Sequence, residues 1–348
     1  MCDRGIDGCR LVCCLLFGAV LFGVHTAFAQ FTYTTISDPQ GTSTYCEGVS
    51  GNTIVGYYVN SSGNDNGFVD NNGSFTTIDD PFAFGQFGTQ VVGISGNTIV
   101  GAYQDSRTGT VRGFIDSAGT FTPLDAPAAA GITQITGISG NSVIGFYEDS
   151  DYAWHSFEYN VAAQTFTILN ETAPTRDNSG TYAMGISGDT IVGYYASPTS
   201  NSAGSSTHAF SLTGSTYTNF DYPESTSGTT VTDPLATIAA GISGNLVVGT
   251  TQIQYTTNTG HGLTFLDVSS GFLYDGATFT LLNVPSSESE FGYGTDAQAI
   301  SGNTVVGYYN VDANTYEGFE TTVPEPASIC FLLAPVLLLK RRRGSRAT

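Results

Sequence analysis

Apolar and β-branched residues gather in short runs set between Gly, Asn and Asp: Thr53-Ile54-Val55-Gly56-Tyr57-Tyr58 follows Gly51-Asn52, and Thr98-Ile99-Val100-Gly101 follows Gly96-Asn97. Each run is β-branched or aromatic on both alternating faces, the pattern of a strand covered on two sides. A glycine leading the preceding pair suits a two-residue II′ or I′ turn, as does Gly188-Asp189 in a later copy, so each run is the second arm of a hairpin. A second hairpin follows: Gly67-Phe68-Val69-Asp70 and Phe75-Thr76-Thr77-Ile78-Asp79 through Asn72-Gly73, and again Gly271-Phe272-Leu273-Tyr274 and Phe279-Thr280-Leu281-Leu282 through Asp275-Gly276. Asp or Asn and then Pro closes the unit at Asp79 and Pro81, Asp125 and Pro127, Asp221 and Pro223, Asn283 and Pro285. Proline there stops the ladder.

The phrase opening the first hairpin recurs six times, at Gly48, Gly93, Gly137, Gly185, Gly241 and Ala299, and its turn glycines are spaced by 45, 44, 48, 56 and 58 residues. Such a period suits one four-stranded propeller blade. The sixth copy runs out after Gly318-Phe319, and the missing fourth strand stands at the other end of the chain, Phe31-Thr32-Tyr33-Thr34-Thr35-Ile36. The expectation is an all-β fold: a six-bladed β-propeller of four-stranded antiparallel blades, its ring closed by the N-terminal strand. Another repeat β fold, a solenoid, prism or sandwich, is the alternative. The Ser- and Thr-rich insertions at residues 197–207 and 224–232 are expected to be flexible loops, and the fifth unit has extra residues between His261 and Gly271.

Both ends differ from this body. Residues 1–29 hold Arg4 and Arg10, an apolar run from Leu11 to Val24, and Ala27-Phe28-Ala29 before Gln30. That is the layout of a secretory signal peptide cut by signal peptidase at Ala27, Ala29 and Gln30. Residues 323–348 begin with Val323-Pro324-Glu325-Pro326, continue with apolar Ala327 to Leu339, and end in the basic cluster Lys340, Arg341, Arg342, Arg343. The apolar stretch is shorter than the ~20 residues of a membrane-spanning helix, and the basic cluster is a cytoplasmic anchor. This tail resembles the PEP-CTERM sorting signal of exopolysaccharide-producing Gram-negative bacteria. The resemblance implies transient inner-membrane retention, cleavage by an exosortase, and release to the cell surface or extracellular matrix.

Trimming the ends changes the composition of the remaining domain, residues 30–322. Seven of the ten basic residues lie in the ends, leaving Arg107, Arg112 and Arg176, and only Asp3 and Asp7 of the 30 acids leave with them, so residues 30–326 carry a formal charge of −25. Such a surface repels phosphate backbones and anionic lipid, which excludes nucleic acid as a partner. Cys2, Cys9, Cys13, Cys14 and Cys330 also lie in the ends, so Cys46 is alone and neither an internal disulfide nor a multi-cysteine zinc site is available. Stability must come from a core rich in Phe and Tyr, of which the whole chain has 22 and 19. The repeated Gly-Ile-Ser-Gly-Asn phrase with its Val-Gly sequel, together with His208-Ala209-Phe210, resembles the HAF family of extracellular repeats over most of residues 31–322. That resemblance implies secretion and a repeat β fold and brings no catalytic residues.

Candidate chemistry is sparse. Gly-x-Ser-Gly departs from the G-x-S-x-G of a hydrolase elbow and falls in a β-turn six times, so these serines read as turn residues. His155 and His208 stand two residues before a strand-three Phe, in a slot that holds Asn66, Arg112, Ser270 and Glu317 in other units. A slot that varies in a fixed frame suits ligand contacts, and equally a solvated edge. Glu148-Asp149-Ser150-Asp151 lacks the order of a calcium loop, so no cofactor is expected beyond adsorbed Ca²⁺. Aromatic loop residues offer the better binding surface: Trp154, the only tryptophan, and Phe82 and Phe84. The leading expectation is a non-enzymatic binding or structural module for extracellular polysaccharide or an envelope protein. The rival is a secreted propeller enzyme, lyase or hydrolase, that degrades polysaccharide.

Overall fold

The computed structural model describes residues 31–169, 180–198, 205–227, 230–258, 263–285 and 294–324, all within one compact unit, Phe31–Pro324. Val323 and Pro324, expected to open the sorting motif, close this unit. Glu325, Pro326, the basic cluster Lys340 to Arg343, and Ala27, Ala29 and Gln30 lie outside the described residues. Every named element is a strand. After β1 (Tyr33–Ile36) come β2 (Ser43–Ser50), β3 (Thr53–Val59), β4 (Asp65–Asn71) and β5 (Ser74–Ile78); then β6 (Thr89–Ser95), β7 (Thr98–Gln104), β8 (Val111–Ser117) and β9 (Thr120–Leu124). The third unit is β10 (Ile132–Ser139), β11 (Ser142–Glu148), β12 (Trp154–Asn160) and β13 (Thr165–Leu169), the fourth β14 (Thr181–Ser187), β15 (Thr190–Pro198), β16 (Ser205–Thr213) and β17 (Thr216–Phe220). A short β18 (Ser225–Ser227) precedes β19 (Thr230–Ser243), β20 (Leu246–Asn258), β21 (Leu263–Tyr274) and β22 (Phe279–Leu282), and β23 (Thr295–Ser301), β24 (Thr304–Asn310) and β25 (Tyr316–Thr322) end the chain.

Within each unit neighbouring strands pair antiparallel in chain order. Hydrogen bonding divides the whole into sheets of four, eight, nine and four strands. The larger two arise because single parallel bridges, Ile132 to Val111 and Thr207 to Ala236, join adjacent units. β1 pairs antiparallel with β25, Tyr33 opposite Thr321, in the order β1-β25-β24-β23. The expected flexible loops are partly ladder instead: β15 and β16 pair out to Pro198 and Ser205, and β18 pairs with a lengthened β19. The extra residues of the fifth unit lengthen its second and third strands in the same way, because antiparallel pairing continues out to Asn258 and Leu263 and satisfies the added backbone groups. Its Asp275-Gly276 turn is a four-residue loop rather than a tight hairpin, since Phe279 is the residue opposite Tyr274.

Local chemistry accounts for the repeat. Gly51 has φ +60° while Asn52 stays negative, the II′ pattern, and Asn72 and Gly73 are both positive, at 53° and 84°, as a I′ turn needs. A Cβ on Gly56 would fall 1.9 Å from the carbonyl oxygen of Tyr45, so the Val-Gly-Tyr of strand two tolerates no side chain there. The strand-three phenylalanines Phe68, Phe114, Phe157, Phe210, Phe272 and Phe319 are fully buried. Most core clusters straddle two units: Val55 packs with Val91 and Tyr103, and Ile36 and Cys46 with Val306, joining the sixth unit to the first.

Two sets of hydrogen bonds stitch the units together. A buried threonine near the start of the first strand accepts the backbone N–H of the incoming loop: Thr44 from Asp38 at 2.9 Å, Thr89 from Asp80 at 3.1 Å, Thr133 from Ala126 at 3.1 Å, Thr237 from Tyr222 at 3.1 Å and Thr295 from Val284 at 3.0 Å. At the opposite strand end the Ser of the Ser-Gly pair accepts, in five of the six units, from the turn glycine of a neighbouring unit. Ser95 takes the Gly140 N–H at 3.0 Å, Ser139 that of Gly188 at 3.1 Å, Ser243 that of Gly302 at 3.0 Å, and Ser301 that of Gly51 at 3.3 Å. The serines are therefore structural acceptors, which explains their repetition.

Candidate functional site

A cavity of about 80 Å³ is lined by the first strand of all six units. Each of these strands carries a β-bulge directly before the repeated Gly or Ala299, between Cys46 and Gly48, Val91 and Gly93, and at the four equivalent places. A bulge re-aims its extra residue. Here the extra residues are Glu47, Val92, Thr136, Met184, Ala240 and Gln298, and all six line both this cavity and a second one of about 170 Å³. Shared by both linings, they mark a waist between two neighbouring chambers.

The larger chamber lies towards the end where the strand-two to strand-three loops and the inter-unit loops emerge. One cross-strand pair per unit stands there: Tyr45 with Tyr57, Gln90 with Ala102, Gln134 with Phe146, Tyr182 with Tyr194, Ile238 with Thr250, and Asp296 with Tyr308. Tyr45 stacks on Tyr57 at 4.7 Å and meets Tyr308 edge-on at 4.9 Å, and Tyr182 stacks on Tyr194 at 4.8 Å. Burial raises the Tyr45, Tyr57 and Tyr308 hydroxyls well above the ordinary phenol range and Tyr194 to about 12, so all remain neutral. Glu47 is pushed up to about 8, first by burial and then by the charge of Asp296. Asp296 is raised by burial too, against hydrogen bonds from Thr250 and Ser269, the latter at 3.4 Å.

The five residues singled out from sequence lie at this end but not in one pocket. Trp154 packs against the wall residue Phe146, edge-on at 5.5 Å, and near Tyr182 at 6.2 Å. His155 points elsewhere, stacking on Tyr147 at 5.2 Å and bonding Asp149 at 2.7 Å. His208 pairs with Asp221 at 2.8 Å. In the same slot Asn66 donates to Asp79 at 2.7 Å and Arg112 binds Asp125, so in three units the slot ties strand three to the acid that closes the unit. Phe82 and Phe84 stand exposed on a separate loop, with the Arg107 guanidinium 3.7 Å above the Phe82 ring. Arg107 and Arg112 also hold buried Asp105, whose carboxyl is drawn below the usual range chiefly by the Arg107 hydrogen bond.

The waist and the pairs above it were missed, although aligning the six copies on their glycines exposes them as the positions that change. Among the described residues no three His, Cys, Asp or Glu side chains converge as a metal ion needs. Nor is any helix there long and apolar enough to cross a membrane.

No protein-family model matches the sequence, and no curated protein matches it. Among solved structures, it is similar to the β-propeller domain of the Trilobed protease of Pyrococcus furiosus, at 9% identity and a TM-score of 0.43, over 80% of this chain and 82% of that one. It is similar to the Aleuria aurantia lectin solved with Fucα1-6GlcNAc, at 11% and 0.42, over 86% and 97%. It is also similar to an ulvan lyase of a polysaccharide lyase family, at 9% and 0.45, over 83% and 84%.

Proposed function

We propose that the chain is an exported surface or matrix protein whose domain is a six-bladed β-propeller closed by its N-terminal strand, and that the loop end of its axial passage binds extracellular polysaccharide. The pairing of β1 with β25 and the Ser301 to Gly51 hydrogen bond support the closed ring. The leader of residues 1–29 and the PEP-CTERM-like tail support export by signal peptidase and sorting by an exosortase. One observation carries the binding reading: six related units keep the Ser-Gly turn but carry six different residues at the waist and varied pairs above it, where Tyr and Phe rings gather with Trp154 packed against them. Rings and planar amides around a concavity suit the faces and hydroxyls of sugars.

The test is co-sedimentation of the full-length chain with exopolysaccharide from the source strain, measured together with the polymer's length. Saturable binding at unchanged length is expected; absence of binding overturns the reading. A second reading, polysaccharide cleavage, draws on Glu47, a carboxyl kept protonated near neutral pH beside a second carboxyl, as a general acid is. Shortened polymer or new reducing ends would establish it.

A further inference from the structure

The larger chamber, about 170 Å³, is smaller than the roughly 300 Å³ in which proteins begin to enclose a whole organic ligand. It takes one substituent of something larger. What its wall offers is acceptors and ring faces. The carboxyl of Glu47 has no hydrogen-bond partner among the described residues. Gln90 gives its amide NH₂ to Asp65 at 2.6 Å and Gln298 gives its own to the Tyr308 hydroxyl at 3.2 Å, so each has its carbonyl oxygen left to offer. Tyr57 and Phe146 add π faces, and no Lys, Arg or His lines the chamber. An unpaired carboxyl in such a place is costly unless it holds a proton or a cation.

We infer that this chamber receives a protonated amino group carried by a saccharide of the surface matrix, an unacetylated amino sugar, with Glu47 as counter-ion, the Gln90 and Gln298 carbonyls as acceptors, and Tyr57 and Phe146 as cation–π walls. This rests on the polysaccharide-binding reading above and names the sugar chemistry. A hydroxyl group brings no charge to offset the carboxyl once it ionises, and among the described residues a metal ion would find no third ligand of its kind. An ammonium group matches donors to acceptors and charge to charge.

The site exchanges a proton for the cation. Around Glu47 stand Asp296 on β23, Tyr308 on β24, Tyr57 on β3, and Tyr45 and Cys46 on its own strand, none of them basic. β6, β10, β14 and β19 bring Gln90, Val92, Gln134, Thr136, Met184 and Ala240, which do not titrate. With Glu47 at about 8, a cation that stays charged throughout should bind more tightly as pH rises from 6 to 9, by up to about 90-fold, the change in the ionised fraction.

Calorimetric titration of the full-length chain tests this with a glucosamine trimer, an N-acetylglucosamine trimer, and methylammonium at fixed ionic strength. The expected result is at least tenfold preference for the free-amine trimer and a rising affinity for methylammonium. Glu47→Gln should remove both, while Asp296→Asn should retain the preference and move the pH rise downward. Equal binding of both trimers, unchanged in Glu47→Gln, overturns the amine while leaving polysaccharide binding intact. Methylammonium bound with neither trimer bound overturns the saccharide half and the parent reading. No binding of any probe by correctly folded chain overturns the site itself.

Discussion

The two ends of the six first strands obey different rules. At the turn end, Gly-Ile-Ser-Gly repeats almost without change, and five of the six Ser are bonded to a neighbouring unit. Three residues earlier on the same strands, Tyr45, Gln90, Gln134, Tyr182, Ile238 and Asp296 span four residue types in six positions. One end answers to backbone geometry that any unit must satisfy. The other has no shared geometric demand, so its residues are free to serve a ligand.

The sharpest way to break this comparison uses adjacent positions of one unit. A Cβ at Gly145 would lie 2.1 Å from the Gln134 carbonyl oxygen, and no rotamer relieves a clash between backbone atoms. Gly145→Ala should therefore cost more than about 3 kcal/mol, whereas Gln134→Ala, at the variable end, should stay within about 0.5 kcal/mol, as surface changes usually do. Thermal unfolding midpoints of the two variants check it. Equal losses would mean that the variable residues are as structural as the invariant glycines beside them.

Next in size is the buried threonine stitch. Thr133→Val keeps the shape but leaves the Ala126 N–H without its acceptor in a dry place, at a cost of about 1–3 kcal/mol. Denaturant midpoints at unchanged m-value would register it. A neutral result would mean that the bond is replaceable by water and that the inter-unit stitch resides in the core alone.

A smaller effect appears only with pH. Glu47 titrates near 8 in the folded chain and near the ordinary carboxyl value when unfolded. Between those values the folded state holds the extra proton, so stability falls as pH rises through this window. Glu47→Gln has no such proton to lose. Its unfolding midpoint should match the parent near pH 4 and exceed it at pH 8, by on the order of 1–2 kcal/mol given the side chain's opening to the passage. Parallel midpoints at both pH values would show that Glu47 is solvated like a surface acid, and would weaken the amine site with it.

Much of the fold was legible because its determinants are local. Gly51-Asn52, Asn72-Gly73 and the Phe-Thr strands specify hairpins by turn chemistry and pleat, and the orphan Phe31 to Ile36 segment identified its partner by being the one piece missing from the sixth unit. The long β19, β20 and β21 were not legible, since Ser- and Thr-rich segments read as loops until a partner strand stands beside them. The candidate site was harder still. Attention fell on chemically conspicuous side chains, and of these His155 and His208 turned out to clip their own units. Glu47 looked like one acid among 30, and only the bulge shared by six strands aims it into a passage. A single sequence carries that information in the offset of each copy from its glycine.

The smallest effect sharpens the comparison from the turn end. Ser139 accepts the Gly188 N–H at 3.1 Å in an exposed turn, where water stands ready to replace it. Ser139→Ala should cost no more than about 0.5 kcal/mol, below what a typical intramolecular hydrogen bond contributes. The repetition of that Ser around the six units then reflects many small terms at independent sites. Such terms add when sites are far apart, so alanine at Ser95, Ser139, Ser243 and Ser301 together should lower the unfolding free energy by roughly four times the single loss. A combined loss well above that sum would mean that the serines act as one linked ring, and that the invariant end is held by cooperation between units instead of by the geometry of each turn.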